Sequence, residues 1–152
     1  MEILKSVQHL SQIGIYDEWE TPPHILEIAI NKYKIYPEID LFATLDNTKY
    51  PRFFTKENSV FSKEIRADSF ANPPYSIIEK CINFIFNQWF KHNANFLILT
   101  YAKTDTKWWH NYIEEKAEVH FIKGRIKFLK NGQRSKNSAP YPSCWIIYRK
   151  KK

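Results

Sequence analysis

The segment Asn72-Pro73-Pro74-Tyr75-Ser76 restricts the fold of this chain more than any other five residues. Two consecutive prolines remove two backbone N–H donors and hold two φ angles at about −65°. The residue before a proline is also driven out of the helical region. The segment is therefore expected to form a stiff, extended turn that presents the Asn72 amide and the Tyr75 ring from a fixed backbone.

The residues on either side of this turn predict a strand before it and a helix after it. Residues 66–71 suit a short strand, and Ser76 and Glu79 have the spacing of a capping box. Apolar residues then recur at helical intervals to about Phe90, namely Ile78, Ile82, Ile85, Phe86 and Trp89. This order places the turn at the carboxyl end of a strand, where open α/β sheets bind their ligands.

An amide and an aromatic ring on a rigid turn suit a reaction at the amino group of a nucleobase. The exocyclic nitrogen of adenine is a weak nucleophile because its lone pair is delocalised into the ring. An acceptor on Asn72, with the Pro73 carbonyl beside it, would bind both amino hydrogens and move the nitrogen toward a tetrahedral state that can attack a methyl donor. Tyr75 would stack on the base once it has left the duplex. The competing interpretation is a proline-rich loop that only precedes a helix, since short motifs also match by chance.

Upstream of the turn, the sequence predicts one helix and one buried strand. The helix begins after Thr21, a good N-cap followed by a proline, and should end before Pro37. Its buried face comprises Ile25, Leu26, Ala29, Ile30 and Tyr33. Residues 39–43 suit a short buried strand that contains Asp40. Because a buried carboxylate is costly without a partner, Asp40 is a candidate functional residue; the alternative is that it caps the next turn.

The remaining segments predict strands of both directions. Residues 44–66 show no periodic pattern, whereas residues 95–100 are apolar throughout and should be covered on both faces. A helix is expected over residues 105–117. Three further strands, at 119–122, 125–129 and 143–148, are expected to close the sheet in antiparallel fashion. These elements indicate a three-layer α/β domain.

Length and composition predict one globular domain over residues 1–152, with 1–16 as a lead-in and 149–152 as a basic tail. No apolar run reaches the roughly 18 residues of a membrane span, and the first ten residues lack the layout of a signal peptide. Cys81 and Cys144 are expected to be buried free thiols of a protein in the reducing cytoplasm. The five histidines have no ligand spacing, so we expect no metal.

The formal net charge of +7 favours an anionic partner. Basic residues are concentrated in a polar segment that is expected to form an exposed hairpin: Lys123, Arg125, Lys127, Lys130, Arg134 and Lys136. Such residues are candidates for contacts with the phosphates of a nucleic acid. The alternative is a charged hairpin that contacts only solvent.

Several separate segments resemble the phage-type DNA adenine methyltransferases, the Dam family, and together they extend over residues 16–148. They are residues 17–23 (DEWETPP), 39–43 (IDLFA) with Asn47, 72–76 (NPPYS), 123–128 (KGRIKF) and 138–143 (SAPYPS). The resemblance implies a Rossmann-like methyltransferase fold and S-adenosylmethionine-dependent methylation of the 6-amino group of adenine in double-stranded DNA, with the adenine flipped out. The bacterial host of a phage or prophage would be its setting.

The resemblance also implies roles for individual residues. Asn72, Pro73, Pro74 and Tyr75 would form the catalytic motif, and Ser76 would contact DNA. The cofactor would be bound by Trp19, Thr21, Pro22, Asp40 and Ala43.

The chain departs from the family pattern in two places. The usual cofactor loop is glycine-rich, which lets the backbone approach the ligand, but residues 43–47 contain no glycine. The interval from Asp40 to Asn72 is too short for two further βα units, since each βαβ takes about 30 residues or more. An abbreviated sheet is therefore expected. With no segment left for a separate target-recognition domain, sequence preference should come from residues 44–66, the basic hairpin or a partner.

Two other functions are compatible with the same residues. The Asn-Pro-Pro-Tyr motif also occurs in methyltransferases of ribosomal RNA and of glutamine side chains, because each must activate a planar, conjugated nitrogen. The basic charge disfavours a protein substrate but does not separate DNA from RNA. A degenerate, non-catalytic domain that binds nucleic acid would explain the glycine-poor loop and the short sheet, but not the intact Asn72–Tyr75 motif.

Overall fold

The structure is a computed structural model that describes residues 19–130 and 132–151. The predicted lead-in, together with Asp17 and Glu18 of the first resembling segment, lies outside the described residues.

A six-stranded mixed sheet forms the centre of the fold. Its strands are β1 (Ile39–Asp40), β2 (Arg52–Phe53), β3 (Ser69–Ala71), β4 (Phe96–Tyr101), β5 (Glu118–Phe121) and β8 (Ser143–Tyr148). Their order in space is β2-β1-β3-β4-β8-β5. The first four are parallel to one another, whereas β8 is antiparallel to both β4 and β5. One half of the sheet is therefore parallel, and its strand β3 leads into the predicted turn. The other half is antiparallel and is formed by later segments of the chain.

Helices and a hairpin cover the two faces of this sheet. The α-helices are α1 (Pro23–Tyr33), α2 (Ile78–Lys91) and α3 (Lys107–Tyr112), and the hairpin strands are β6 (Leu129–Lys130) and β7 (Gln133–Arg134). Side chains alternate across a strand, so Phe96 and Ile98 of β4 pack with α2 and α3, whereas Leu97 and Leu99 pack with α1 and with Ile126. The apolar run of β4 is thus buried on both faces, as predicted.

Three predictions about local structure are wrong in the first half of the chain. Residues 44–66 are not wholly irregular, because β2 pairs with β1 and Val60–Ser62 form a 3-10 helix. Thr21 does not cap α1; Pro22 holds that position, and the Thr21 side chain instead bonds with Asn72. Ser76 does not cap α2 either, because Tyr75–Ile77 form a 3-10 turn and Ile77 is the N-cap residue.

Two further predictions are wrong in the second half. The helix expected over residues 105–117 is only α3, since Glu115 adopts a left-handed φ of 62° soon after Tyr112. The strand expected at 125–129 does not join the main sheet. Its apolar residues Ile126 and Phe128 pack onto a face of that sheet, and Leu129–Lys130 pairs with Gln133–Arg134 as a separate hairpin.

Candidate functional site

A cleft of about 750 Å³ opens at the carboxyl ends of β1 and β3. The sequence places its walls there because β1 is followed by residues 41–49 and β3 by the double-proline turn. Of the predicted site residues, seven line this one cleft: Trp19, Thr21, Asp40, Ala43, Asn72, Pro74 and Ser76. Predicted catalytic and cofactor residues therefore come together, although Trp19 and Asn72 are far apart in sequence.

The Asn72 amide has a defined orientation at the edge of this cleft. Its Nδ2 donates to Thr21 Oγ1 at 3.0 Å and to the Trp19 carbonyl at 3.3 Å. A backbone carbonyl can only accept, so the NH₂ group must face Trp19 and the Oδ1 atom must face the other way. Oδ1 is thus the atom of Asn72 that can accept a hydrogen bond from a ligand.

Asp40, the last residue of β1, is a buried carboxyl group with an incomplete set of partners. It is 3% exposed, and its Oδ2 accepts from the Lys49 backbone N–H at 3.0 Å. Its Oδ1 is buried and has no hydrogen-bond partner in the described part of the chain. Burial raises the pKa of Asp40 to about 6, against the opposing effect of the Lys49 hydrogen bond. A hydrogen-bond donor on a bound ligand would give Asp40 Oδ1 a partner and so offset the free-energy cost of burying the carboxyl group.

A nearly buried ion pair that the sequence analysis missed supports the same wall of the cleft. Lys49 Nζ lies 2.7 Å from Glu20 Oε1, and the two side chains are only 11% and 18% exposed. The Glu20 backbone also exchanges hydrogen bonds of 2.8 and 2.9 Å with Leu129 at the base of the hairpin. Glu20 belongs to a segment that the resemblance had singled out, but pairing with a residue so distant in sequence left no local signal.

The glycine-free loop after β1 is closed by side chains. The Thr44 N–H donates to Asn47 Oδ1 at 2.7 Å, and the Asn47 N–H lies 3.2 Å from Thr44 Oγ1. Thr and Asn side chains commonly close turns in this way. The loop therefore reaches a compact turn without the glycines of the usual cofactor loop, and Ala43, Thr44, Leu45 and Asn47 line the cleft.

Beside the cleft, Asn72 also lines a much smaller aromatic pocket of about 30 Å³. Its other lining residues are Trp19, Pro73, Tyr75, Thr100, Tyr101 and Phe128. Burial, and then the nearby Tyr141 and Asp105, raise the pKa of the Tyr75 hydroxyl. Tyr101 was not predicted to take part in any site, since it comes from the end of a strand whose apolar run indicated only core packing.

The remaining predicted site residues lie outside both cavities. Pro22 is buried at the start of α1 and lines neither. The basic residues of the predicted hairpin line neither cavity, and those at Lys123, Arg134 and Lys136 are exposed. Arg125 is exposed as well, and its guanidinium donates to the Pro140 carbonyl at 2.9 Å.

Other chemistry-bearing side chains give no second site. Cys81 and Cys144 are buried and are not joined in a disulfide, as predicted, and burial raises the pKa of Cys144 to about 12. Within residues 19–130 and 132–151, no group of three His, Cys, Asp or Glu side chains is placed to hold a metal ion. None of the helices in those ranges is long and apolar enough to cross a membrane.

Comparison with known proteins gives two matches. The family model described as DNA N-6-adenine-methyltransferase (Dam) matches residues 11–152. The chain is also similar to a DNA N-6-adenine-methyltransferase of Haemophilus phage HP1, with 27% identity over 117 residues that cover 76% of this chain and 68% of the phage protein. The family match spans every residue of the cleft and of the aromatic pocket.

Proposed function

We propose that this chain, which belongs to the DNA N-6-adenine-methyltransferase (Dam) family and so methylates the 6-amino group of adenine in DNA, performs the transfer where the cleft meets the aromatic pocket. Membership confirms the predicted resemblance to this family. It also selects DNA over the RNA and protein substrates, and catalysis over a non-catalytic domain. The observation that carries the proposed location is the orientation of Asn72, which lines both cavities.

The family implies S-adenosylmethionine as the methyl donor, and the cleft fits it in size and chemistry. When bound, it would supply an electrophilic methyl group on a positively charged sulfonium. A volume of about 750 Å³ lies within the range of small-molecule sites. Asp40 would accept a hydrogen bond from the donor through Oδ1, which otherwise has no partner in the described chain. Trp19, Thr21 and Ala43 would form the walls, and Pro22 would act indirectly by fixing the backbone after Thr21.

The adenine would be flipped out of the duplex into the aromatic pocket, on the other side of Asn72. Asn72 Oδ1 and the Pro73 carbonyl would accept the two hydrogens of the 6-amino group, and Tyr75 would stack on the ring. Holding both hydrogens would localise the nitrogen lone pair for attack on the methyl group. The transfer would break the bond between that methyl group and the donor's sulfur, release the donor as a neutral thioether, and leave one of the two amino hydrogens to depart as a proton. Thr21 and Trp19 support this role because their hydrogen bonds prevent the Asn72 amide from rotating. Pro74 and Ser76 would shape the passage between the two cavities.

The arrangement of strands supports an abbreviated Rossmann-like methyltransferase domain. β1, β3 and β4 are parallel, and α2 connects the last two of them. Between Asp40 and Ser69, where the structure describes every residue, there is the short strand β2 and a 3-10 helix but no α-helix. Because both apolar clusters pack on one sheet, we regard the chain as a single domain.

Replacing Ala43 with phenylalanine tests the placement of the donor. Ala43 lines the cleft, so a benzyl group there is expected to overlap the donor and to weaken its binding by about 10-fold or more, as overpacking a filled site does. Calorimetric titration with S-adenosylmethionine measures this. Ala43→Ser is the matched control and should bind nearly as the parent does. Unchanged affinity in Ala43→Phe, with the fold verified by thermal unfolding, would move the donor elsewhere.

The basic hairpin is proposed to contact the DNA backbone without reading its sequence. Ile126 and Phe128 are buried against the sheet, while Lys123, Arg134 and Lys136 are exposed. The hairpin joins the site through the Glu20–Leu129 hydrogen bonds, so phosphates bound there would lie beside the cleft. Lys127 and Lys130 extend the same basic surface. Arg125 is also exposed there, and its guanidinium donates to the Pro140 carbonyl.

Replacing Lys130, Arg134 and Lys136 together with alanine is expected to weaken binding to all DNA sequences alike. Each lost phosphate contact should reduce the slope of log affinity against log salt by about 0.9. Anisotropy titrations of two unrelated duplexes at several salt concentrations measure this. Replacement of Lys63, Lys91 and Lys116, which are exposed and line neither cavity, is the charge-matched control. An unchanged slope would make the hairpin structural, and an effect on one sequence only would make it a base reader.

A further inference from the structure

Three tyrosine rings form a three-sided box next to Asn72. The rings of Tyr75 and Tyr141 have centroids 6.4 Å apart and are 33° from parallel. The Tyr101 ring lies 5.2 Å from each of them, at 63° to Tyr75 and 65° to Tyr141. We call Tyr75 and Tyr141, the two rings that are closer to parallel, the walls of the box, and Tyr101, which is steeply inclined to both, its end.

The backbone around the Tyr141 wall is held in place, and the ring contacts a lysine. The carbonyl of Pro142 accepts from the Ala102 N–H at 2.9 Å, and the carbonyl of Pro140 accepts from Arg125 at 2.9 Å. Lys103 Nζ lies 3.9 Å from the centroid of the Tyr141 ring, within the range of a cation–π contact. The backbone is thus fixed on both sides of Tyr141, whereas the ring itself can still turn about its side-chain bonds.

The spacing of the two walls is close to that of a slot for one planar ring. A base stacked between two aromatic rings needs about 7 Å between them, twice the contact distance of about 3.5 Å. The observed 6.4 Å between the two ring centroids falls slightly short of this distance. The adjoining pocket of about 30 Å³, which Tyr75 and Tyr101 line but Tyr141 does not, has room for little more than one water molecule. Tyr141 is 39% exposed, so its ring has solvent on one side into which it can shift.

We infer that Tyr75, Tyr101 and Tyr141 form the binding site for the flipped nucleobase, with Tyr141 stacking on the face opposite Tyr75. In the DNA-free protein Tyr141 leans toward Tyr75, and a base enters as the two rings separate and become parallel. Tyr101 limits how deeply the base can enter and so sets the distance of its amino group from Asn72. The inference rests on the proposed function, since it extends the stacking role of Tyr75 to two residues of other segments.

The inference is tested by comparing the affinities of one variant for DNA that carries the target base and for DNA that lacks it. Wild-type protein first methylates bacterial genomic DNA, and the modified adenines give the target sequence. Two short duplexes of that sequence are then made: one carries the target adenine opposite an abasic site, and the other carries an abasic site in place of the target adenine. Tyr141→Ala is expected to bind the first duplex about 5- to 150-fold more weakly than wild type and the second equally well. Tyr141→Phe should restore the affinity, and Tyr36→Ala, at an exposed tyrosine, should change nothing.

Every other result overturns the inference. If Tyr141→Ala binds the adenine duplex more tightly than wild type does, Tyr141 blocks the site. If the variant loses affinity equally for both duplexes, Tyr141 contacts the DNA backbone. Unchanged affinity would remove it from the site. In these three cases methylation by the wild type still stands and only the box is rejected, whereas failure of the wild type to methylate any adenine rejects the proposed function and the box together.

Discussion

Replacing Asn72 with alanine is expected to reduce the rate of methyl transfer to DNA by about 100-fold or more, by analogy with removing one oriented group that stabilises a transition state. Asn72 Oδ1 is the side-chain atom that Thr21 and Trp19 orient for accepting from a ligand. The variant should still bind S-adenosylmethionine, since its loss is in the transfer step. Single-turnover transfer of a labelled methyl group to adenine-containing DNA, with donor affinity measured separately, distinguishes the two steps.

The same substitution should leave the protein folded. It removes two hydrogen bonds, which together are worth about 1–3 kcal/mol of unfolding free energy, out of a typical total of about 5–15 kcal/mol. Asn93→Ala, at an exposed position that lines neither cavity, is the matched control and should retain full activity. Full activity in Asn72→Ala would show that the turn is structural and that another group activates the amino nitrogen.

Replacing Asp40 with asparagine is expected to stabilise the protein in the absence of ligand, and only at higher pH. The folded-state pKa of Asp40 is raised from its usual 3.8 to about 6. The folded protein therefore binds the proton of the Asp40 carboxyl group more tightly than the unfolded chain does. This difference contributes to the free energy of unfolding below about pH 4, and the contribution is lost as the pH rises to 6. A shift of this size corresponds to about 3 kcal/mol, which the asparagine variant should gain over wild type above pH 6.

Urea unfolding of the two proteins at pH 4, 5 and 8 measures this difference in the free energy of unfolding. The variant should also bind S-adenosylmethionine more weakly, because a neutral amide replaces the carboxylate that would accept from the donor. Asp46→Asn is the matched control: Asp46 is exposed on the same loop, and its replacement should change neither quantity. Parallel pH profiles of stability for wild type and Asp40→Asn would contradict the account of Asp40.

The parts of the fold that follow from local sequence were predictable. The prolines fixed the turn at Asn72, and the apolar spacing after it marked α2. Continuous apolar runs located β4 and β8 to within about one residue, because strands buried on both faces need no alternation. Asp40 was also conspicuous as an acid within an apolar run, but the strand predicted over residues 39–43 is shorter and ends at Asp40.

Interactions between distant segments were not predictable in the same way. Thr21 is a residue type that often caps helices, but its hydroxyl oxygen accepts a hydrogen bond from Asn72 instead. Only folding brings these two residues together. The Glu20–Lys49 pair and the packing of Tyr75, Tyr101 and Tyr141 likewise join residues from separate elements. The two-residue strands β2 and β6 are too short for any periodic signal, and pairing with a neighbour defines them.

The central claim is that the chain transfers a methyl group to the 6-amino nitrogen of adenine in DNA through Asn72. Its most direct test is to incubate the protein with S-adenosylmethionine labelled in the methyl group and with double-stranded DNA, digest the DNA, and separate the nucleosides. The account predicts label in N6-methyldeoxyadenosine with wild-type protein and Asn93→Ala, and about 100-fold less or none with Asn72→Ala. Label in methylated deoxycytidine, or equal label in N6-methyldeoxyadenosine from wild type and Asn72→Ala, would contradict it.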